Sequence, residues 1–67
     1  MRPLIAVTCS TEEGATNYPR GRDFANRAYS EAVRRAGGAP VLLPLGGTAE
    51  DVRAGLAAAH GLLLTGG

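Results

Sequence analysis

The stretch Pro3-Leu4-Ile5-Ala6-Val7-Thr8 decides the fold. It is a continuous apolar run with no polar residue alternating through it. A strand with one wet face alternates, whereas a strand covered on both faces reads as an unbroken apolar run, and such strands belong to parallel sheets. Pro3 is compatible with this reading because a proline at the first position of a strand takes no ladder hydrogen bond from its interior. Two shorter runs of the same kind follow, Pro40-Val41-Leu42-Leu43, closed by Pro44, and Leu62-Leu63-Leu64-Thr65. They make a second and a third strand.

The segments between the strands read as helices. Ala25, Ala28, Tyr29, Ala32, Val33 and Ala36 recur at three- and four-residue steps and share one face, predicting a helix over residues 23–36. Asp23 is a candidate for its start, as a cap or as a negative charge near the positive helix end. Asp23–Arg27, Arg27–Glu31 and Glu31–Arg35 are each four apart on the opposite face. Gly37-Gly38 stops the helix, since glycine readily enters the left-handed conformation just past a helix end. After the turn Gly46-Gly47, Thr48-Ala49-Glu50-Asp51 reads as an N-cap followed by acidic residues in a first turn. Val52, Leu56 and Ala59 continue an apolar face to about residue 59, across Gly55, which costs a helix about 1 kcal/mol relative to alanine. His60-Gly61 ends it. Residues 10–22, with two glycines and a proline, show no periodicity and read as a loop. Connections of that length in compact domains are often functional.

The order is therefore βαβαβ, an α/β chain with a parallel sheet of the three-layer, flavodoxin-like kind. Right-handed crossovers with a strand order 2-1-3 put the first strand in the middle and the helices on opposite faces. They also create a switch point between strands 1 and 3, and ligands of open α/β sheets bind beyond the carboxyl ends of the strands there. Those ends are Thr8-Cys9-Ser10 and Thr65-Gly66-Gly67.

Composition bounds what such a chain can be. At 67 residues it is at most one small domain. Its 45% apolar content is carried by twelve alanines against thirteen Leu, Val and Ile, so the core is thin. One Cys and one His exclude an internal disulfide and a Cys/His zinc site, and no cofactor is implied. No apolar run approaches the ~20 residues of a membrane span or the ~7–15 of a signal peptide, which points to a cytoplasmic setting and no membrane partner. A net charge of +1 offers no footprint for nucleic acid.

Several residues invite a chemical role. Gly66-Gly67 directly follows an apolar strand, where backbone N–H groups free of side chains could face a ligand or a developing oxyanion. From pattern alone an ordinary strand-ending turn is the simpler explanation, and the chain has two other Gly-Gly pairs. Cys9 has no helix N-terminus or cation beside it in sequence and reads as a half-buried spectator thiol. His60 sits at the far end of the second helix, as a cation or hydrogen-bond donor toward the helix carbonyls, on the sheet edge opposite the switch point. Glu12, Glu13 and Asp23 read as solvated acids. Arg20, Arg22 and Arg27 could hold an anion, against the ordinary reading of solvated arginines. No Gly-x-Gly-x-x-Gly, no Gly-x-x-x-x-Gly-Lys-Ser/Thr and no nucleophile elbow is present. A nucleotide-binding half-domain is therefore disfavoured.

Three strings taken in order carry a resemblance: Arg2-Pro3-Leu4-Ile5-Ala6-Val7-Thr8; Tyr29…Ala32-Val33…Ala36-Gly37-Gly38-Ala39-Pro40-Val41-Leu42-Leu43-Pro44; and Gly61-Leu62-Leu63-Leu64-Thr65-Gly66-Gly67. Together they resemble the N-terminal part of the gamma-glutamyl-gamma-aminobutyrate hydrolases, in the peptidase C26 group of the class I glutamine amidotransferase-like fold. Ala6 and His60 depart from that pattern, which commonly has Gly and Asp there. The resemblance implies cysteine acyl-transfer hydrolysis of a small gamma-glutamyl substrate, with Gly66 and Gly67 as the oxyanion loop. It also implies that the nucleophilic Cys, the His and the acid lie further along a longer chain, so that Cys9 is not the nucleophile. On this reading residues 1–67 are the opening portion of a single domain, inactive alone. The rival reading is a standalone binding or assembly module that self-associates through the open edge of strand 3.

Overall fold

The computed structural model describes residues 1–14 and 16–65. Seven elements follow one another: β1 (Leu4–Thr8), β2 (Ser10–Glu12), β3 (Arg22–Phe24), α1 (Arg27–Arg35), β4 (Ala39–Leu43), α2 (Ala49–Ala58) and β5 (Gly61–Leu63). A three-stranded parallel sheet has the order β4-β1-β5, with Leu4 to Thr8 paired to Ala39 to Leu43 on one side. Ile5 to Val7 pair with Gly61 to Leu63 on the other. This is the βαβαβ arrangement that the apolar runs predict, with the first strand central.

Burial explains the unbroken run. Val7 is wholly inaccessible, Ala6 and Thr8 are nearly so, and Val33, Gly38 and Leu43 are buried with them. Successive residues of a strand face opposite sides. Ile5 meets Val33 of α1 around Gly38, while Leu4 and Ala6 border the groove beside Gly55 and Ala58 of α2. The helices thus flank the sheet from its two faces. The rest of the apolar surface is only partly covered: Val41, Leu42, Leu56, Leu62 and Leu64 all stay exposed. α2 buries no residue at all, so its apolar face, unlike that of α1, lies loosely on the sheet.

The helix ends are built as their sequences require. At the end of α1, Gly37 has φ 96° and its N–H donates to Arg34 O at 3.0 Å, while Gly38 N–H donates to Val33 O at 2.9 Å. That pair of bonds is a complete Schellman motif. α2 opens with a capping box: Thr48 Oγ1 accepts from Asp51 N–H at 3.2 Å, and Asp51 Oδ2 accepts from Thr48 N–H at 3.3 Å. Gly55 has a packing reason, because a Cβ there would come within 2.5 Å of Leu43 Cδ1.

Four expectations are corrected. Residues 10–22 are not one loop: Ser10–Glu12 and Arg22–Phe24 form an antiparallel hairpin, with Thr11 opposite Asp23 and Glu12 opposite Arg22. The first helix starts at Arg27, not at residue 23, and its cap is Asn26, whose Oδ1 accepts from Ala28 N–H at 2.9 Å. Asp23 is drawn into the hairpin by Thr11, whose hydroxyl donates to Asp23 Oδ1 at 2.9 Å. The four-apart pairs on the helix form no ion pair; among the described residues the one ion pair is Arg22–Glu12. The third strand spans Gly61–Leu63, one residue earlier at its start and shorter than the apolar run.

Gly38 is closely packed on the α1 side of the sheet. An added Cβ would lie 2.8 Å from Ile5 Cγ1 and 3.0 Å from Val33 Cγ1, both on stiff β-branched side chains. Gly38→Ala is expected to lower stability by about 1–3 kcal/mol in chemical unfolding, through overpacking.

Candidate functional site at the carboxyl edge of the sheet

The carboxyl ends of β1 and β5 are joined by side chains. Thr8 Oγ1 accepts from Thr65 N–H at 2.9 Å, and Thr65 Oγ1 donates to Thr8 O at 2.9 Å. The two hydroxyl oxygens lie 3.3 Å apart. Thr8 is 4% exposed, so its hydroxyl would be a costly orphan without these partners. β5 itself ends at Leu63, and the threonine clasp carries the β1–β5 association two residues beyond the ladder. It therefore fixes the point from which the chain runs into Gly66 and Gly67. Those two glycines, expected to form the oxyanion loop, lie outside the described residues.

Cys9 follows Thr8 on this edge, and its N–H donates to Leu43 O at 3.1 Å, tying it to the end of β4. Its thiol is pushed above its ordinary pKa, first by burial and then by the negative charge of Asp23, with the Leu43 backbone hydrogen bond opposing. A nucleophilic thiol needs the reverse, so the surroundings of Cys9 keep it protonated.

His60 stands at the opposite edge. Its N–H donates to Leu4 O at 2.8 Å and its Nδ1 accepts from Leu4 N–H at 3.1 Å. The side chain is thus a hydrogen-bond acceptor for β1, not the donor to the α2 carbonyls that its position suggests. Leu4 and Cys9 are the two ends of five strand steps at ~3.3 Å each, so His60 and Cys9 are separated by on the order of 16 Å along β1.

The hairpin gathers what the sequence left scattered. A polar cavity of about 250 Å³ is lined by Thr11, Glu12, Glu13, Arg20, Gly21, Arg22, Asp23 and Gly46. Arg22 Nε donates to Glu12 Oε1 at 3.1 Å, and its guanidinium carbon lies 4.3 Å from the Tyr18 ring centre and 4.4 Å from that of Phe24. Arg27 is not part of this group and lines a separate groove with Ser30 and Arg34. The signal that could have revealed the hairpin is Tyr18-Pro19-Arg20-Gly21. Pro19 presets the turn, Gly21 N–H donates to Tyr18 O at 2.8 Å, and Gly21 takes φ 82°. Among the described residues no group of three or more His, Cys, Asp or Glu is placed to hold a metal ion, and no helix is long and apolar enough to cross a membrane.

In comparison with known proteins, the family described as Peptidase C26 matches residues 3–67. No curated protein and no solved structure matches the chain.

Two outcomes test the edge. Thr8→Val keeps the shape but removes the acceptor of Thr65 N–H; it should cost about 1–3 kcal/mol in chemical unfolding and speed hydrogen exchange at the Thr65 amide. With its pKa raised, Cys9 holds a smaller thiolate fraction at pH 8 than an unstructured cysteine. Alkylation by iodoacetamide should be correspondingly slower, and Asp23→Asn should move the midpoint of its pH–rate profile downward.

Proposed function

Because the chain belongs to the peptidase C26 family, we propose that it forms the opening part of a hydrolase that cleaves gamma-glutamyl amide bonds by cysteine acyl transfer. Such chemistry needs a thiolate, a base to serve it, a group to orient the base, and N–H donors for the tetrahedral oxyanion. The chain's share is the last of these. The threonine clasp is the observation that carries this reading. It anchors the chain at Thr65, immediately before Gly66-Gly67 and beside the switch point of the sheet.

The nucleophile and base are not supplied by these residues. The sequence has one cysteine and one histidine, and they occupy opposite edges of β1. His60 is held at Leu4, on the order of 16 Å along β1 from Cys9, whereas a Cys–His pair must exchange a proton at about 3 Å. The proposal therefore has residues 1–67 as scaffold and oxyanion side of a site whose nucleophile, His and acid come from elsewhere. A lone cysteine fits a reducing cytoplasmic setting.

One observation favours a second reading, a module that assembles through strand 3. β5 is an edge of the sheet, Leu62 and Leu64 are exposed on and beside it, and an apolar groove of about 440 Å³ runs from Leu62 and Leu63 to Ala32 and Ala36 of α1. A monodisperse, cooperatively melting oligomer of the chain would favour this reading. A loosely packed or aggregating product would favour the first.

The 67-residue chain is expected to release no amine from gamma-glutamyl-gamma-aminobutyrate or gamma-glutamyl anilides above the spontaneous rate, with no acyl burst. Turnover that Cys9→Ser abolishes would overturn the assignment of roles.

A further inference from the structure

The hairpin holds an arginine in a manner that a merely solvated arginine does not require. Arg22 lies over both Tyr18 and Phe24, at 4.3 Å and 4.4 Å from the ring centres, and its Nε is engaged by Glu12. Two aromatic rings and one carboxylate fix the plane of the guanidinium, which stays open to solvent with the side chain 37% exposed. Among the described residues no hydrogen bond uses its Nη1 or Nη2, so the fork of the side chain is unspent. Arg20, two residues before it on the wall of the same cavity, makes no hydrogen bond or ion pair among the described residues. The chain is also bent for this arrangement. Gly21, between the two arginines, has φ 82°, and a Cβ there would stand 2.9 Å from Glu12 O. Asp23, the one acid of β3, is engaged by the Thr11 hydroxyl.

We infer that this cavity is a binding site for a small free carboxylate, held by the Arg22 fork and by Arg20. Planar carboxylate and planar guanidinium match in two parallel hydrogen bonds, and a guanidinium already immobilised loses little freedom on forming them. Glu13, on the same wall, has no ion-pair partner among the described residues and suits the ammonium of an amino acid carrying that carboxylate. The hairpin leaves β1 one residue after Thr8, and Gly46, just past β4, completes the cavity wall. The site therefore rims the same carboxyl edge as the threonine clasp. The inference rests on the hydrolase reading only in calling the ligand a substrate: there, the hairpin would select amides that bear a free carboxylate away from the scissile bond.

The test reads binding and not turnover, so a chain that hydrolyses nothing still tests it. Backbone amide and arginine side-chain NMR shifts of the full chain are followed while L-glutamate, 4-aminobutyrate, 4-aminobutyramide or inorganic phosphate is added. Saturable shifts at residues 11–13 and 20–23 are expected with both carboxylates, and affinity at least about tenfold weaker with the neutral amide. Arg20→Gln, which removes no contact that supports the hairpin, should weaken 4-aminobutyrate binding about as much as Arg22→Gln. Arg22→Lys keeps the charge but not the fork and should also weaken it. The proposal is overturned if the amide binds as well as the carboxylate, if phosphate alone binds, if Arg20→Gln changes nothing, or if no saturable shift occurs with either carboxylate. Absence of carboxylate binding would sink this site and leave the hydrolase reading, which is carried by the Thr8–Thr65 clasp, standing.

Discussion

Everything in this structure hangs from the burial of β1 on both faces. Val7 has no accessible surface, and its neighbours Ala6 and Thr8 have almost none. Both other strands of the parallel sheet pair only with β1, and each helix reaches the sheet through residues of β1 or through glycines packed against its neighbours. In so small a chain the large aliphatics are too few to build a second centre. Close approach substitutes for bulk: Gly38 lets α1 settle on Ile5, and Gly55 lets α2 approach Leu43. Burial of a side chain such as Val7 contributes ~1.5–3 kcal/mol, and very few residues here reach that depth.

The parallel sheet was legible because its signal is local and strong. An unbroken apolar run means cover on two faces, and glycine pairs and a capping box mark where helices stop and start. Gly37-Gly38 and Thr48–Asp51 behave as their residue types dictate. The hairpin was not legible by the same means. Ser10-Thr11-Glu12 and Arg22-Asp23-Phe24 contain no apolar alternation, since what holds them is polar: Thr11 to Asp23 and Glu12 to Arg22 across the strands. Reading Asp23 as a helix cap follows from the same blindness, because a cap and a cross-strand partner present the same carboxylate to a sequence reader. Asn26, three residues on, was the better cap and is equally typical of one.

The candidate site divides in a similar way. Its position followed from topology, since a 2-1-3 sheet has one switch point and it falls between β1 and β5. The group that makes the position exact enough for chemistry, the Thr8–Thr65 clasp, was hidden. Thr8 and Thr65 are far apart in sequence, and each read simply as the polar end of an apolar run. His60 was placed on the correct edge but given the wrong partner: the backbone of Leu4 outcompetes the α2 carbonyls because the end of α2 lies against the start of β1.

β5 is only three residues long, yet side chains tie it to β1 at both of its ends, His60 to Leu4 below and Thr65 to Thr8 above. The span from 60 to 65 is thus measured against the span from 4 to 8 like a rung cut to length. One residue added or removed between His60 and Thr65 would break one tie or the other, and would turn Leu62 and Leu63 to the wrong faces. Variation in chain length among descendants of this sequence should be barred from that segment.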